Sequence, residues 1–390
     1  MKKIVALGGA GVMGAEAVRQ LIKRTDAEIV IADSSAKALK RIAAELGNRV
    51  STIEINVDDH AALVKLLKGA DVAVSTIGPF YKFSNRLVKA CIDAGVNFLD
   101  IDDDFDATRD CLELNEAAKN AGITAIIGCG ASPGITNIIA KHAADKLDKV
   151  DDIRIYWAQS GIDPTGPGAM LHWFHITAEQ IPIYRDGKWV DVRGFTEPES
   201  VEFLPPIGRQ VCYYTGHPEP VTLPRYIKGV KNVSIKGCMY PPSMMSFYKV
   251  MDEAGLGSKD DFIINDKLTM PMREVTVRIT RAMPRFAPDF FTEAYRESVE
   301  VYKHIAGAQK LEVTGEKKGD KVKYVYDYMG ENVTQATTIP AAIGAVMIMD
   351  GKIKQKGVLG PEAAFDPAHF LAALKGEGEF YETETIMRKF

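Results

Sequence analysis

The chain has 390 residues, 46% of them hydrophobic and 26% charged, with a formal net charge of −4 at pH 7. A globular chain of this length is expected to form two domains, or one with a large insertion, and it lacks the basic stripe that a nucleic-acid partner requires. Five widely spaced cysteines, Cys91, Cys111, Cys129, Cys212 and Cys238, include no CxxC pair, which argues against a disulfide framework or a zinc site and for a reducing, cytoplasmic compartment. The apolar run AAIGAVMIM (341–349) is too short to span a bilayer, so no membrane partner is expected.

From the N-terminus, KIVALGG reads as a buried strand, VMGAEAVRQLIKR as a helix, AEIVIAD as a strand and SAKALKRIAAEL as a helix. RVSTIEINV with DHAALVKLLKGA, DVAVSTIG with FSNRLVKACIDAG, and NFLDID with TRDCLELNEAAKNAG repeat the pair, and ITAIIG closes the series. Short apolar runs alternating with amphipathic helices predict an α/β fold, a doubly wound parallel sheet of Rossmann type over 1–150. From residue 151 strands follow strands. IRIYWAQ is one, IYRDGKWVDV predicts a hairpin turning at Asp186-Gly187, EVTVRIT (274–280) alternates like a strand, and LEVTGEKKGDKVKYVYDY predicts a second hairpin. A second α/β domain over 151–333 is therefore expected, with a mixed, largely antiparallel sheet and a helical insertion near 243–260. TQATTIPAAIGAVMIMDG reads as a helix that returns residues 334–361 to the first domain, and 362–390 are expected to be a loop-rich tail.

The glycine run GAGVMG sits between the first predicted strand and helix, the context that gives such a run meaning. Gly9 is expected to permit the tight turn, Gly11 to let the backbone approach a pyrophosphate, and Gly14 to let helix and strand pack closely. Ala10, Val12 and Met13 complete the loop, and the helix N-terminus offers free N–H groups to phosphates. Asp33, about 20 residues further on at the tip of the second strand, is placed to bond ribose hydroxyls and to repel a 2′-phosphate. NAD is thus favoured, with Ser34 beside it and NADP left open. Asp58 is read either as an adenine contact or as the cap of the next helix.

Ligands of such sheets sit beyond the carboxyl ends of the strands. There the fourth strand runs into STIGPFYKF (75–83), in which Thr76, Gly78 and Pro79 would line the nicotinamide and Tyr81 or Lys82 would move a proton. The fifth ends in NFLDIDDDFD (97–106), five carboxylates of which Asp102 is the catalytic candidate. Two readings stand open: a group that binds an ammonium or shifts a pKa by repulsion, and a solvated loop with one helix cap. The sixth runs into GCGASPGITNIIA (128–140), with Ser132 as N-cap, Pro133 at the first helical position and Gly134 beside it.

These segments, together with GPFY, the TLP of GHPEPVTLPRYI (216–227) and the C-terminal TQATTIPAAIGAVMIMDGKIKQKGVLGPE, resemble the saccharopine dehydrogenase family. The resemblance implies a Rossmann domain closed by the C-terminal helix, a second domain with the substrate face, a nicotinamide cofactor, an amino-acid-like amine substrate and a homodimer. It implies cofactor contacts for Gly9, Gly11, Gly14, Asp33 and the Pro133-Gly134 turn. The activity expected is hydride transfer at a CH–NH or CH–NH2 group, as in lysine 6-dehydrogenase or saccharopine dehydrogenase. The alternatives are a reductive carboxynorspermidine or opine-type enzyme and a catalytically inactive nucleotide sensor.

In the second domain the proton carrier is sought among the histidines. His217, in a Gly/Pro-rich loop, is the first choice, and His172 and His175 share a helix face without a convincing third metal ligand, so no metal is expected. A substrate carboxylate calls for an arginine fork, and Arg225 is preferred over Arg209, Arg154, Arg278 and Arg281, with His175 as a second contact.

Overall fold

The computed structural model describes residues 2–162, 166–303, 307–330 and 333–387. The chain divides into two compact units, one of residues 1–146, 221–228 and 334–377, the other of 147–220, 229–333 and 378–390.

The first unit opens with β1 (Lys3–Leu7), α1 (Val12–Arg24), β2 (Glu28–Asp33), α2 (Ala36–Leu46), β3 (Val50–Glu54), α3 (His60–Leu67), β4 (Val72–Ser75), α4 (Phe80–Ala94) and β5 (Asn97–Asp100). Then come α5 (Phe105–Leu112), α6 (Asn115–Asn120), β6 (Thr124–Ile126) and α7 (Ile135–Ala144). The stretch expected as one helix after β5 is two, broken where Leu114 and Asn115 restart the turn. The inner strands are buried almost throughout, as parallel strands must be when helices cover both faces.

The second unit holds β7 (Lys149–Ser160), α8 (Pro167–Thr177), β8 (Gln180–Arg185), β9 (Lys188–Arg193), β10 (Glu199–Glu202) and β11 (Arg209–Tyr214). After α9 (Glu219–Tyr226) it continues with β12 (Asn232–Tyr240), α10 (Pro242–Glu253), β13 (Asp261–Asn265), β14 (Leu268–Pro271), α11 (Met272–Ala282), α12 (Pro288–Glu300), β15 (Gly307–Lys317) and β16 (Asp320–Gly330). Its sheet runs β10-β11-β12-β7-β15-β16 with one further strand at the β16 edge, and β8 and β9 attach beside β12. Only the β12–β7 pairing is parallel, which gives the mixed sheet that the sequence predicts. The β8–β9 hairpin turns at Asp186 (φ 51°) and Gly187 (φ 76°), the double left-handed geometry that suits the twist of the strands.

EVTVRIT is not a strand. It lies in α11, whose buried residues Arg273, Thr276, Val277 and Thr280 follow helical spacing, so burial on one helix side overrode β-branched alternation. The last part of the chain is not a loop-rich tail either. After α13 (Val333–Met349), β17 (Gly357–Leu359) pairs with β6 and completes a seven-stranded parallel sheet, ordered β17-β6-β5-β4-β1-β2-β3. Two short helices, α14 (Pro361–Ala364) and α15 (Pro367–Ala373), follow, and β18 (Glu379–Met387) then pairs with β16 in the second unit. Three residues are too few for a periodicity signal, and β18 is read as a tail because Glu and Thr alternate where apolar residues would mark a strand. Residues 388–390 lie outside the described residues.

Candidate active site

The glycine loop is a cradle closed by backbone contact. A Cβ on Gly14 would stand 2.1 Å from the Gly8 carbonyl oxygen and 2.6 Å from the Gly9 Cα, so only hydrogen fits there. Gly9 is crowded by Ala6 and by Ile31 Cγ2 at 3.0 Å, but the left-handed position of the turn is Gly8 (φ 74°), a role the sequence reading gave to Gly9. α1 starts from Gly11 without a side-chain cap, Gly11 and Val12 are exposed, and Met13 is half-buried. The first-turn N–H groups are thus left for an anion, and the donors and the hydrogen-only contacts fit a dinucleotide pyrophosphate.

Asp33 at the end of β2 accepts the Ala10 N–H (3.2 Å) on one oxygen and the Ser35 N–H (3.0 Å) on the other. Its carboxylate is fixed between the loop and α2, and Arg41 reaches back to the Ala10 carbonyl (3.1 Å). Ser34 is exposed beside it. Thr76 turns its hydroxyl onto the Leu7 and Gly8 carbonyls (3.3 Å each), which ties the end of β4 to the loop. Asp58 pairs with Arg86, and the cap of α3 is Asp59, which accepts the Ala62 N–H (3.0 Å).

After β4, Gly78 is exposed, Pro79 is the N-cap of α4, Tyr81 is half-buried, and exposed Lys82 lies over the Tyr81 ring at 5.9 Å. The α4 N-terminus is capped from another element, because the Asp104 carboxylate accepts the Tyr81 N–H (2.9 Å). The acidic stretch is therefore not a solvated loop: Asp100, Asp102 and Asp104 are each 0% exposed. Asp100 accepts the Gly128 N–H (2.8 Å) and the Ser84 hydroxyl (3.3 Å), and Asp102 accepts the Asp104 N–H (2.9 Å) and the Thr108 hydroxyl (3.3 Å). Burial pushes the Asp100 carboxyl up to about 7 against these bonds, and burial plus the neighbouring Asp100 and Asp104 charges hold Asp102 well above the carboxylate range.

Because folding raises these values, the native protein holds protons that the unfolded chain releases. The stabilisation is fully present below the ordinary value of 3.8 and fades as pH rises through about 7. Asp100→Asn should therefore flatten the fall in melting temperature between pH 4 and pH 7, each unit of difference being worth about 1.4 kcal/mol. An unchanged slope in calorimetry at matched ionic strength would show that the pair is ionised throughout.

At β6 the helix begins later than the sequence suggests. Ser132 is not the cap and Pro133 is not the first helical residue; Gly134 (φ 128°) is the N-cap of α7. The loop first closes on itself, with Gly130 N–H donating to the Pro133 carbonyl and Ile135 N–H to the Gly130 carbonyl (both 2.9 Å), which postpones the helix. Fully buried Asn137 accepts the Gly134 N–H (3.0 Å) and donates to Thr222 Oγ1 (3.1 Å) and Glu362 Oε2 (2.9 Å). This node was missed in the sequence, because two of its partners, Thr222 and Glu362, come from distant stretches. It fastens residues 221–228, and so Arg225, into the dinucleotide unit rather than the second unit. Arg225 Nε donates to the Val221 carbonyl (3.2 Å). Of the other arginines, Arg154 and Arg209 pair with Glu199 and Glu202, and Arg278 and Arg281 are exposed on α11.

In the second unit, an aromatic group lies on one face of the sheet. The Trp157 ring lies 5.7 Å from His217 and 6.1 Å from Trp173, and His172 stands edge-on to His217 at 5.5 Å. Gly237 beside Trp157 makes room for the indole, since a Cβ there would meet Trp157 Cε2 at 2.0 Å. His217 is 5% exposed, with Nδ1 3.8 Å from a carboxylate oxygen of fully buried Glu219. Among the described residues, the buried indole N–H groups of Trp157 and Trp173 and the hydroxyl of Thr215 meet no acceptor. His175 is buried elsewhere on α8, 3.4 Å from both Glu179 and Arg273, and its contact draws the Glu179 carboxyl down to about 2.

A parallel sheet with a hydrogen-only glycine turn and a carboxylate at the tip of its second strand defines a dinucleotide-binding oxidoreductase fold. The family profile described as Saccharopine dehydrogenase NADP binding domain matches residues 4–126, and that described as Saccharopine dehydrogenase C-terminal domain matches 130–379. The chain belongs to the saccharopine dehydrogenase family, and its cofactor is NAD(P). It is 23% identical to a carboxyaminopropylagmatine dehydrogenase of Synechocystis sp. over 96% of this chain and 95% of that one. It is 23% identical to a carboxynorspermidine synthase of Vibrio alginolyticus, covering 83% and 80%. In fold it matches apo saccharopine dehydrogenase (L-Glu forming) of Saccharomyces cerevisiae with a TM-score of 0.67 and 18% identity over 100% of both chains. Among the described residues, no helix is long and apolar enough to cross a membrane.

Proposed function

We propose that the chain is an NAD-preferring dehydrogenase acting at the secondary C–N bond of an amino-acid-derived amine, in particular a carboxyaminopropyl polyamine of the kind named in its relatives. The observation that carries the reading is the cradle, where Gly14 admits nothing larger than hydrogen and Asp33 stands fixed beside it. The nicotinamide, when bound, supplies or accepts the hydride. Lysine- or saccharopine-type substrates are the second reading, supported by the family alone.

The chain's own part is to bind, to orient and to carry the proton. Gly9 to Gly14 hold the phosphates, with Asp33 on the ribose and Thr76, Gly78, Pro79, Pro133 and Gly134 at the nicotinamide end. His217 exchanges the proton at Nε2, and buried Glu219 near Nδ1 offsets the charge that forms on the ring. Tyr81, Lys82 and Asp102 are the other proton carriers to be tested, and Arg225 and His175 the substrate contacts. For His175 that role competes with its ties to Glu179 and Arg273.

Titration with NAD and NADP, followed by absorbance of the reduced nicotinamide with carboxynorspermidine, carboxyaminopropylagmatine, saccharopine and lysine, tests the reading. Turnover with the first two, and a loss of about 100-fold in kcat for His217→Gln with cofactor affinity kept, are the expected results. Cofactor binding without turnover of any of the four would favour a nucleotide sensor.

A further inference from the structure

The second unit holds a cavity lined by none of the residues assigned above to cofactor, proton transfer or substrate. Its volume is about 480 Å3, and it lies where the ends of α8, β9 and α10 meet residues 255–260. Small-molecule sites span about 300–1,000 Å3. The walls are set before any ligand arrives. Gly257 packs on the end of α8, where a Cβ would stand 2.8 Å from Ala178 Cβ. Leu256 N–H donates to the Met251 carbonyl (3.0 Å), Arg273 N–H to the Ser258 carbonyl (2.9 Å) and Met272 N–H to the Asp260 carbonyl (2.9 Å), so the segment is tied on both sides.

Charges of both signs line this cavity. Arg193 donates through Nη2 to both oxygens of Asp252 (3.1 and 3.0 Å) and through Nη1 to the Thr177 and Gly194 carbonyls, and these bonds leave Nε for a further acceptor. Lys259 gives one of its three N–H groups to Glu179 (3.3 Å). Asp260 accepts the Ser258 hydroxyl on Oδ2 (2.9 Å), which leaves Oδ1. A dication entering here would meet Arg193 and Lys259, and a dianion would meet Glu179, Asp252 and Asp260. A molecule with one ammonium and one carboxylate matches both sets, through charge-assisted hydrogen bonds.

The cavity is joined to the histidines through α8. Glu179 accepts from Lys259 and from Arg273 (3.1 Å), and its carboxylate stands 3.4 Å from His175 Nδ1. One turn earlier on the same helix, His172 stands edge-on to His217. We propose that the cavity binds a free amino acid as its zwitterion, with the carboxylate on Arg193 and Lys259 and the ammonium on Asp260. Drawing Lys259 from Glu179 leaves that carboxylate to Arg273 and His175, and α8 carries the change to His172 and His217. Its bearing on turnover rests on the role given to His217, whereas the binding does not.

Calorimetric titration of the full chain without cofactor tests the site, with glutamate, lysine and alanine as ligands and putrescine and succinate as single-sign controls. At least one amino acid should bind with a Kd below about 1 mM, and both controls at least about 10-fold more weakly. Lys259→Glu and Asp260→Asn, at exposed positions, should each weaken binding at least about 10-fold with melting unchanged, whereas Lys354→Glu, exposed in the other unit, should not. The imidazole NMR signals of His172 and His217, identified by replacing each with Gln, should shift as the amino acid is added. No heat from any amino acid at about 10 mM, controls that bind as tightly, or full affinity in both cavity variants would overturn the site. Binding that leaves both imidazole signals unmoved would overturn the link through α8.

Discussion

Gly14→Ala is expected to lower the affinity for NAD and NADP alike by about 100-fold and to destabilise the fold by about 1–3 kcal/mol. The added methyl would lie 2.1 Å from the Gly8 oxygen and 2.6 Å from the Gly9 Cα, and neither is a side chain that can swing aside. α1 must withdraw, and its first-turn N–H groups leave the positions from which they bind phosphate. Gly11→Ala separates the two effects. A Cβ at Gly11 meets only the Gly8 oxygen, at 3.3 Å, so stability should change by roughly 0.5 kcal/mol or less while the methyl projects where the pyrophosphate is assigned. Calorimetry alongside titration of both dinucleotides measures the split. Full cofactor affinity in Gly14→Ala would remove the loop from the binding site.

Asp33→Ala should change which dinucleotide is preferred. The carboxylate is held by the Ala10 and Ser35 N–H groups, so its charge has a fixed position, and exposed Lys37 and Arg41 lie on the adjoining α2. Hydrogen bonds from ribose hydroxyls to a charged acceptor are worth about 1.5–3 kcal/mol, so NAD affinity should fall roughly 10- to 100-fold. With the negative charge gone, NADP should gain relative to NAD by about 100-fold. Equal affinities of the wild type for both cofactors, or a variant with an unchanged ratio, would leave Asp33 a structural tie of the loop.

The alternation of strand and helix up to β6 was legible because most of its strands are short apolar runs and most of its helices repeat at their own period. Gly14 and Asp33 were legible because their spacing carries a mechanism. Gly8 was not singled out, since a sequence of adjacent glycines does not tell which takes positive φ. Asp104 capping α4 and Asn137 joining Thr222 and Glu362 are long-range bonds with no local signature. α11 misled because Val, Thr and Ile alternate in it while the buried set, Arg273 to Thr280, keeps helical steps. Arg225 was placed by the average trend of its neighbourhood, whereas residues 221–228, flanked on both sides by the second unit, return to the dinucleotide unit.

β17 has a bearing on how the protein is made. β6 ends at Ile126 and its neighbour in the sheet begins at Gly357. While the ribosome is still adding the residues between them, the rim of β6 carries unfilled main-chain donors and acceptors, a template for pairing with a stranger. The Rossmann half is thus begun at β1 yet stays one strand short until after β16 has been made, and through that interval its open rim is the place where mispairing can start.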